Sequence, residues 1–243
     1  MWTETRRPRG LEGVVGHAEV KESLRAYLGT PPYRTAIVLT GPPGIGKTTL
    51  ALAAGASLGF EVTEINASLS LRSFQDVDRL RDSSRSSISV ASLLRGERRT
   101  TCLVLDEIDG SDPHAQRKLS EWLSSGALSV PVICTCNELP ALFVKPGIQV
   151  LRCYPPRATD WRDLFPGMDV ERMAVECKHD LRRMLQRLQY GESDALPKPP
   201  SVSLKWSPEV AHWKRQQTWT ESDPILQALA ASASARPSDR LRG

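Results

Sequence analysis

No apolar run in this chain approaches the ~20 residues that a membrane-spanning helix needs; the stretch ending in Val104 and Leu105 is among the longest and is far shorter. Arg6, Arg7 and Arg9 are followed by no apolar segment, so neither a membrane span nor a secretion signal is expected. Cysteine is scarce and scattered. Cys102, Cys134, Cys136, Cys153 and Cys177 lie among apolar neighbours without the paired spacings of a zinc site, which points to buried thiols in a reducing setting. A strong excess of one charge is missing too: the formal net charge is +4, with arginine as the main cation. Such usage permits nucleic-acid contact and fits a GC-rich genome equally well, so charge assigns no partner.

What is present suffices for a globular fold. With 243 residues, 40% hydrophobic and 25% charged, the chain can bury one moderate domain and a smaller one. Val20, Leu24, Tyr27 and Leu28 recur at helical spacing between Gly16 and Gly29, before the turn Pro31-Pro32. Short apolar runs predict strands at Ala36 to Leu39, Glu61 to Ile65, Cys102 to Leu105, Val132 to Thr135 and Ile148 to Cys153. Helices are expected from Thr48 to Leu58, and from Ala115 to Leu123 after the start signal Asp112-Pro113. Strands separated by crossover lengths of chain predict an α/β fold with a parallel sheet. Beyond Pro155-Pro156 the strand pattern stops, and Leu181, Met184, Leu185 and Leu188 mark an amphipathic helix. The expected organisation is a core over 1–155, a small helical lid over 156–190, and a linker and short helical or disordered tail over 191–243.

Three segments carry chemistry. Gly41-Pro42-Pro43-Gly44-Ile45-Gly46-Lys47-Thr48 matches the phosphate-binding loop, in which glycines let backbone amides turn around phosphate oxygens at a helix N-terminus. Lys47 is expected to meet the β- and γ-phosphates of ATP and Thr48 to give a hydroxyl to Mg²⁺, with Thr49 completing the nucleotide-binding set. The run Cys102 to Leu105 ends in Asp106 and Glu107, at the edge where a parallel sheet binds its ligand. Asp106 is expected to hold Mg²⁺ through water, and Glu107 to orient the attacking water. Paired acids after a strand also suit a solvated turn. Asn137, at the end of the next strand, could reach between the γ-phosphate and the water, or simply form a turn.

Taken together these segments resemble the AAA+ clamp-loader ATPases. Trp2-Thr3-Glu4-Thr5-Arg6-Arg7-Pro8, followed by Leu11, Val14, Val15, Gly16 and His17, resembles the Trp-x-Glu-Lys-Tyr-Arg-Pro start of that family, which lies beside adenine. Pro8 and Val15 are thereby carried over to nucleotide binding. Glu64-Ile65-Asn66-Ala67-Ser68 is similar to the family's Glu-Ile-Asn-Ala-Ser segment. With Asp106-Glu107-Ile108-Asp109-Gly110 and the Cys136-Asn137 strand end, the likeness is greatest to the large subunit of replication factor C and its alternative-loader relatives. It implies an AAA+ P-loop NTPase fold with a helical lid, in which Asn137 takes the sensor 1 position and Arg182 the sensor 2 position. Lys47, Glu107, Asn137 and Arg182 then form the catalytic set. ATP and Mg²⁺ are implied, with other clamp-loader subunits, a sliding clamp and primer-template or nicked DNA as partners. The implied location is the nucleus in a eukaryote, otherwise the cytoplasm with DNA.

The departures are also informative. No Ser-Arg-Cys arginine-finger tripeptide lies between Asp109 and Pro131, which resembles a large subunit that receives a finger without giving one. Arg7 is read in the place of the family's tyrosine, Leu69-Ser70-Leu71-Arg72 replaces its Asp-x-Arg continuation, and His179 stands where the family has glycine. Residues 191–243 are shorter than the family's helical collar. A weakly hydrolysing ATP-binding arm, or another AAA+ DNA-processing motor, would use the same site. Arg85, Arg95, Arg98 and Arg99, in the stretch Arg81 to Arg99, suit contact with phosphates or a clamp surface, or a solvated helix and loop, and Trp206, Trp213 and Trp219 suit lid docking or a partner patch.

Overall fold

A computed structural model describes residues 5, 7–85, 96, 99–162, 165 and 169–190. Expectations placed on Trp2, on Arg95 and Arg98, and on the linker and tryptophans of 191–243 lie outside the described residues. The strands are β1 (Ala36–Thr40), β2 (Glu61–Asn66), β3 (Thr101–Asp106), β4 (Val132–Cys136) and β5 (Ile148–Arg152). They form one parallel sheet in the order β2-β3-β4-β1-β5. β1 and β4 are buried at every residue, which explains their apolar character, broken only by Thr40 and Thr135. β2 is an edge strand of mixed exposure and reads accordingly as a weaker, more polar run.

Side chains alternate across the sheet, as the two-residue period requires. Val38, Leu103, Leu105, Val132 and Cys134 face one layer, where helices α4 (Phe74–Ser83) and α5 (Pro113–Leu123) contribute Val77, Leu80, Leu119, Trp122 and Leu123. Ile37, Leu39, Cys102, Val104 and Ile133 face the other, packed by Val20, Leu24 and Leu28 of α1 (Ala18–Leu28) and by Leu50, Ala51 and Ala54 of α2 (Lys47–Ser57). A one-turn helix, α3 (Ala67–Ser70), follows β2 directly. Pro113 at the first turn and the Asp112 side chain, accepting from the His114 and Ala115 amides, start α5 where the Asp-Pro signal places it.

Three further helices, α6 (Ala158–Trp161), α7 (Val170–Glu176) and α8 (Leu181–Tyr190), enclose a separate apolar cluster around Trp161, Phe165, Ala174, Cys177 and Met184. The start of α8 touches the core: the Leu181 amide donates to Gly44 O at 3.1 Å. Among the described residues no helix is long and apolar enough to cross a membrane. All five cysteines are buried and free.

Candidate nucleotide-binding site

The carboxyl ends of β1, β4 and β3 lie side by side, and each contributes to one cleft. After β1 the chain turns through Gly41 to Gly46 and enters α2 at Lys47. A Cβ on Gly41 would collide with the Cys153 carbonyl, and one on Gly44, at φ +75°, with the Asp180 carboxylate. Only glycine permits this close approach of loop, β5 and lid. The Lys47 side chain is buried, and its ammonium donates to Gly41 O at 2.7 Å, Pro42 O at 2.8 Å and Asn137 Oδ1 at 2.9 Å. Burial pushes that ammonium below the usual lysine range, opposed by Cys153, Cys136, Asp109 and Asp106.

Thr48 Oγ1 donates to Asp106 Oδ1 at 2.7 Å, and Thr135 donates to the same oxygen. The Glu107 amide donates back to Thr135 Oγ1 at 3.3 Å, so β3 and β4 are tied at the acid pair. Glu107 has φ +57°, a left-handed conformation that a non-glycine residue adopts at a cost of about 1–3 kcal/mol. Its Oε2 lies 3.2 Å from both Asn66 Nδ2 at the end of β2 and Ser68 Oγ in α3. The carboxylate therefore has a built holding place at the rim.

Lys47, Thr48, Asp106, Glu107 and Thr135 line a cleft of about 280 Å³ that also includes Pro43, Gly44, Gly46, Thr49, Glu64, Cys136, Asn137, Arg182 and Leu185. Arg182 is exposed on α8 and faces the cleft from the lid. An adjoining apolar recess of about 130 Å³ is lined by Pro8, Val14, Val15, Ile45, Gly46, Thr49, Phe165, Leu181 and Leu185. Pro8 and Val15 thus sit beside the recess, while Gly41 and Pro42 face Lys47 through their carbonyls. Arg7 borders both spaces and donates from Nε to Thr49 Oγ1 at 3.3 Å. Counted between Trp2 and Pro8, Arg7 falls on the arginine of the Trp-x-Glu-Lys-Tyr-Arg-Pro start and Arg6 on the tyrosine, which corrects the assignment of Arg7 to the tyrosine. His179 has φ +57°, a backbone position that glycine would occupy without strain.

The residues fit a phosphate ester with Mg²⁺. Mg²⁺ is held by one or two protein oxygens, with phosphate and water completing its octahedron, and Thr48 Oγ1 with Asp106 Oδ1 presents such a pair. Among the described residues no group of three or more His, Cys, Asp or Glu could hold a metal by itself. The loop glycines and the start of α2 would supply backbone donors to such a phosphate. Asn66, Ser68, Thr135 and Asp109 were not singled out from sequence as site residues. Asn66 and Ser68 do lie in the Glu-Ile-Asn-Ala-Ser segment, and Asp109 closes Asp106-Glu107-Ile108-Asp109, the signals that could have found them.

Comparison with known proteins agrees with this geometry. The family described as "ATPase family associated with various cellular activities (AAA)" matches residues 37–152. The chain is 33% identical over 142 residues to the replication factor C large subunit of Thermococcus kodakarensis, covering 56% of this chain and 27% of that protein. It is 28% identical over 205 residues to the replication factor C small subunit of Methanocella arvoryzae, covering 78% of this chain and 62% of that one. The chain therefore spans less than two thirds of either relative. The Thermotoga maritima RuvB Holliday junction branch migration motor shares the fold, with a TM-score of 0.56 at 18% identity over 75% of this chain and 64% of that one. Residues 37–152 thus form an AAA domain with the AAA+ P-loop fold, and the chain is similar to replication factor C subunits.

Proposed function

We propose that this chain binds ATP with Mg²⁺ and hydrolyses it to ADP and phosphate as a subunit of a clamp loader, placing a sliding clamp on primer-template or nicked DNA in replication or repair. The observation that carries the ATPase reading is the meeting of Lys47, Thr48, Asp106, Glu107, Asn137 and Arg182 in one cleft, drawn from three strand ends and the lid. The loop amides and Lys47 bind the β- and γ-phosphates. Thr48 and Asp106 would hold Mg²⁺, which would draw charge from the phosphate oxygens. Glu107 orients a water and takes up its proton as the water oxygen bonds to the γ-phosphorus; the bond to the β–γ bridging oxygen breaks, and ADP and phosphate leave. Phosphoryl transfer depends chiefly on such positioning and charge stabilisation. Asn137 reads the space between water and γ-phosphate, and Arg182 couples nucleotide to the lid.

The clamp-loading part is supported by the relatives named replication factor C and by the Trp2-to-His17 and Glu64-to-Ser68 segments. Other loader subunits would complete the site with an arginine finger. Lys47→Ala tests the whole reading: it fails if both ATP binding and clamp loading are unchanged. Co-purification of a sliding clamp and small loader subunits tests the partner assignment separately.

A second reading is a weakly hydrolysing ATP-binding arm that supports sibling subunits. It is favoured by the position of Glu107, held by Asn66 and Ser68 at 3.2 Å. Turnover of the parent equal to that of Glu107→Gln, with clamp, small subunits and primer-template DNA present, would select this reading over the first.

A further inference from the structure

We infer that Asp109 is a positioning residue for ATP hydrolysis: it holds the Asn137 turn in register with Glu107 and Lys47 without touching the substrate. The inference rests on the ATPase reading above. Asp109 lies in a 3₁₀ turn (Ile108–Gly110) directly after Glu107. The turn is anchored at both sides. Ile108 is fully buried beneath it, and Gln116 of α5 donates from Nε2 to Asp109 O at 3.2 Å and to Ser111 O at 2.9 Å.

From this fixed base the Asp109 carboxylate reaches across to the end of β4. One oxygen, Oδ2, accepts from the Asn137 amide at 2.9 Å and from the Glu138 amide at 3.1 Å. The pairing of β4 with β1 ends at Cys136 and Thr40, so both amides lie beyond the ladder. A carboxylate accepting two backbone N–H groups is a stronger tether than a neutral acceptor. What it tethers is the residue whose Oδ1 accepts from Lys47 at 2.9 Å. Gln116, Asp109, Asn137 and Lys47 thus form a line of contacts from the back of α5 to the phosphate loop. Asp109 itself does not line the cleft. A side chain that sets the angle of a reacting group acts on the rate of the chemical step more than on binding.

The test compares the parent chain with Asp109→Ala and Asp109→Asn in steady-state ATP hydrolysis with small loader subunits, clamp and primer-template DNA present, in ATP binding and in amide hydrogen exchange. Asp109→Ala should lower kcat on the order of 10- to 100-fold, the scale of a misplaced catalytic group, with KM changed by less than about threefold. Exchange at the Asn137 and Glu138 amides should quicken by about tenfold, as loss of a charge-assisted hydrogen bond requires. Asp109→Asn keeps an acceptor oxygen in the same place and should restore most of kcat. Unchanged kcat in Asp109→Ala, or a raised KM at unchanged kcat, overturns the inference. If Asp109→Ala fails to fold, Asp109→Glu, which lengthens the arm by one methylene, should lower kcat at unchanged KM; parent-like kcat there overturns it. If the parent hydrolyses no ATP with those partners present, the ATPase reading has failed on its own, and unchanged exchange at Asn137 and Glu138 in Asp109→Ala shows separately that the tether is absent.

Discussion

Lys47 Nζ and Asn137 Oδ1 meet at 2.9 Å across the mouth of the phosphate loop, joining the end of β4 to the start of α2. The ammonium also satisfies two loop carbonyls, Gly41 and Pro42, at 2.7 and 2.8 Å. Lys47→Ala would leave those carbonyls facing an incoming phosphate with no cation between them. Hydrogen bonds to charged groups contribute about 1.5–3 kcal/mol each, so ATP affinity should fall at least ~10- to 100-fold. Titration calorimetry of parent and variant measures this directly, and equal dissociation constants would remove Lys47 from phosphate binding.

Glu107→Gln separates binding from chemistry. The amide fills the same volume and can still meet Asn66 and Ser68, but it cannot accept a proton from water. A positioned general base contributes about 10²–10⁴-fold to a rate, so turnover should fall by that order while ATP affinity stays near the parent value. Parent-like turnover under conditions where the parent hydrolyses ATP would remove Glu107 from the catalytic role.

Asn66→Ala should act in the opposite direction on the rate. Asn66 Nδ2 holds Glu107 Oε2 at 3.2 Å, and its side chain also accepts from the Leu69 amide to cap α3. Removing the amide loosens the hold on Glu107 and raises basal ATP turnover; losing the cap costs about 1 kcal/mol of stability. A lowered melting temperature with turnover unchanged or reduced would show that Asn66 is a cap and nothing more.

The parts of this molecule that were legible in sequence are those whose physics is local. β1 and β4, buried on both faces, read as mainly apolar runs, and the spacing of Gly41, Gly44, Gly46 and Lys47 states its own loop geometry. α4 was not expected because only Val77 and Leu80 of its ten residues are buried, leaving little apolar period to detect. The hold on Glu107 was invisible for a different reason. It depends on the parallel register that sets Asn66 beside Asp106, a contact between strand ends distant in sequence. The same holds for Asp109 and Asn137, and for Gly44, whose constraint comes from Asp180 in the lid.

Gly44→Ala tests the seam between loop and lid. The new methyl would press on the Asp180 carboxylate, which is not free to retreat because it caps α8 by accepting from the Arg183 amide at 3.0 Å. Left-handed backbone adds about 1–2 kcal/mol for a non-glycine residue. Gly59→Ala is the control: φ there is +81°, and nothing lies within 4 Å of a Cβ. Both variants should melt earlier than the parent, but only Gly44→Ala should also lose ATP affinity. Parallel losses, or intact affinity in Gly44→Ala, would show that the lid does not depend on this contact.

His17 should give the stability of the protein an acid-side slope. Its Nε2 lies 3.0 Å from Ile45 O, beside the phosphate loop. Burial lowers its pKa from 6.5, helped by the charges of Lys21 and Lys47 and opposed by the Ile45 hydrogen bond and Asp160. The folded chain therefore holds His17 neutral at a pH where the unfolded chain has already taken up a proton. Above 6.5 both states are neutral and His17 contributes no pH dependence; as pH falls below 6.5 the unfolded state binds more protons and stability declines, until the folded-state pKa is passed. His17→Gln keeps a donor for Ile45 O but cannot titrate. Melting temperatures of parent and variant followed from about pH 8 to 5 should run parallel above the unfolded histidine pKa and then diverge, with the parent falling faster. Curves that stay parallel through the whole range would show that His17 titrates alike in both states.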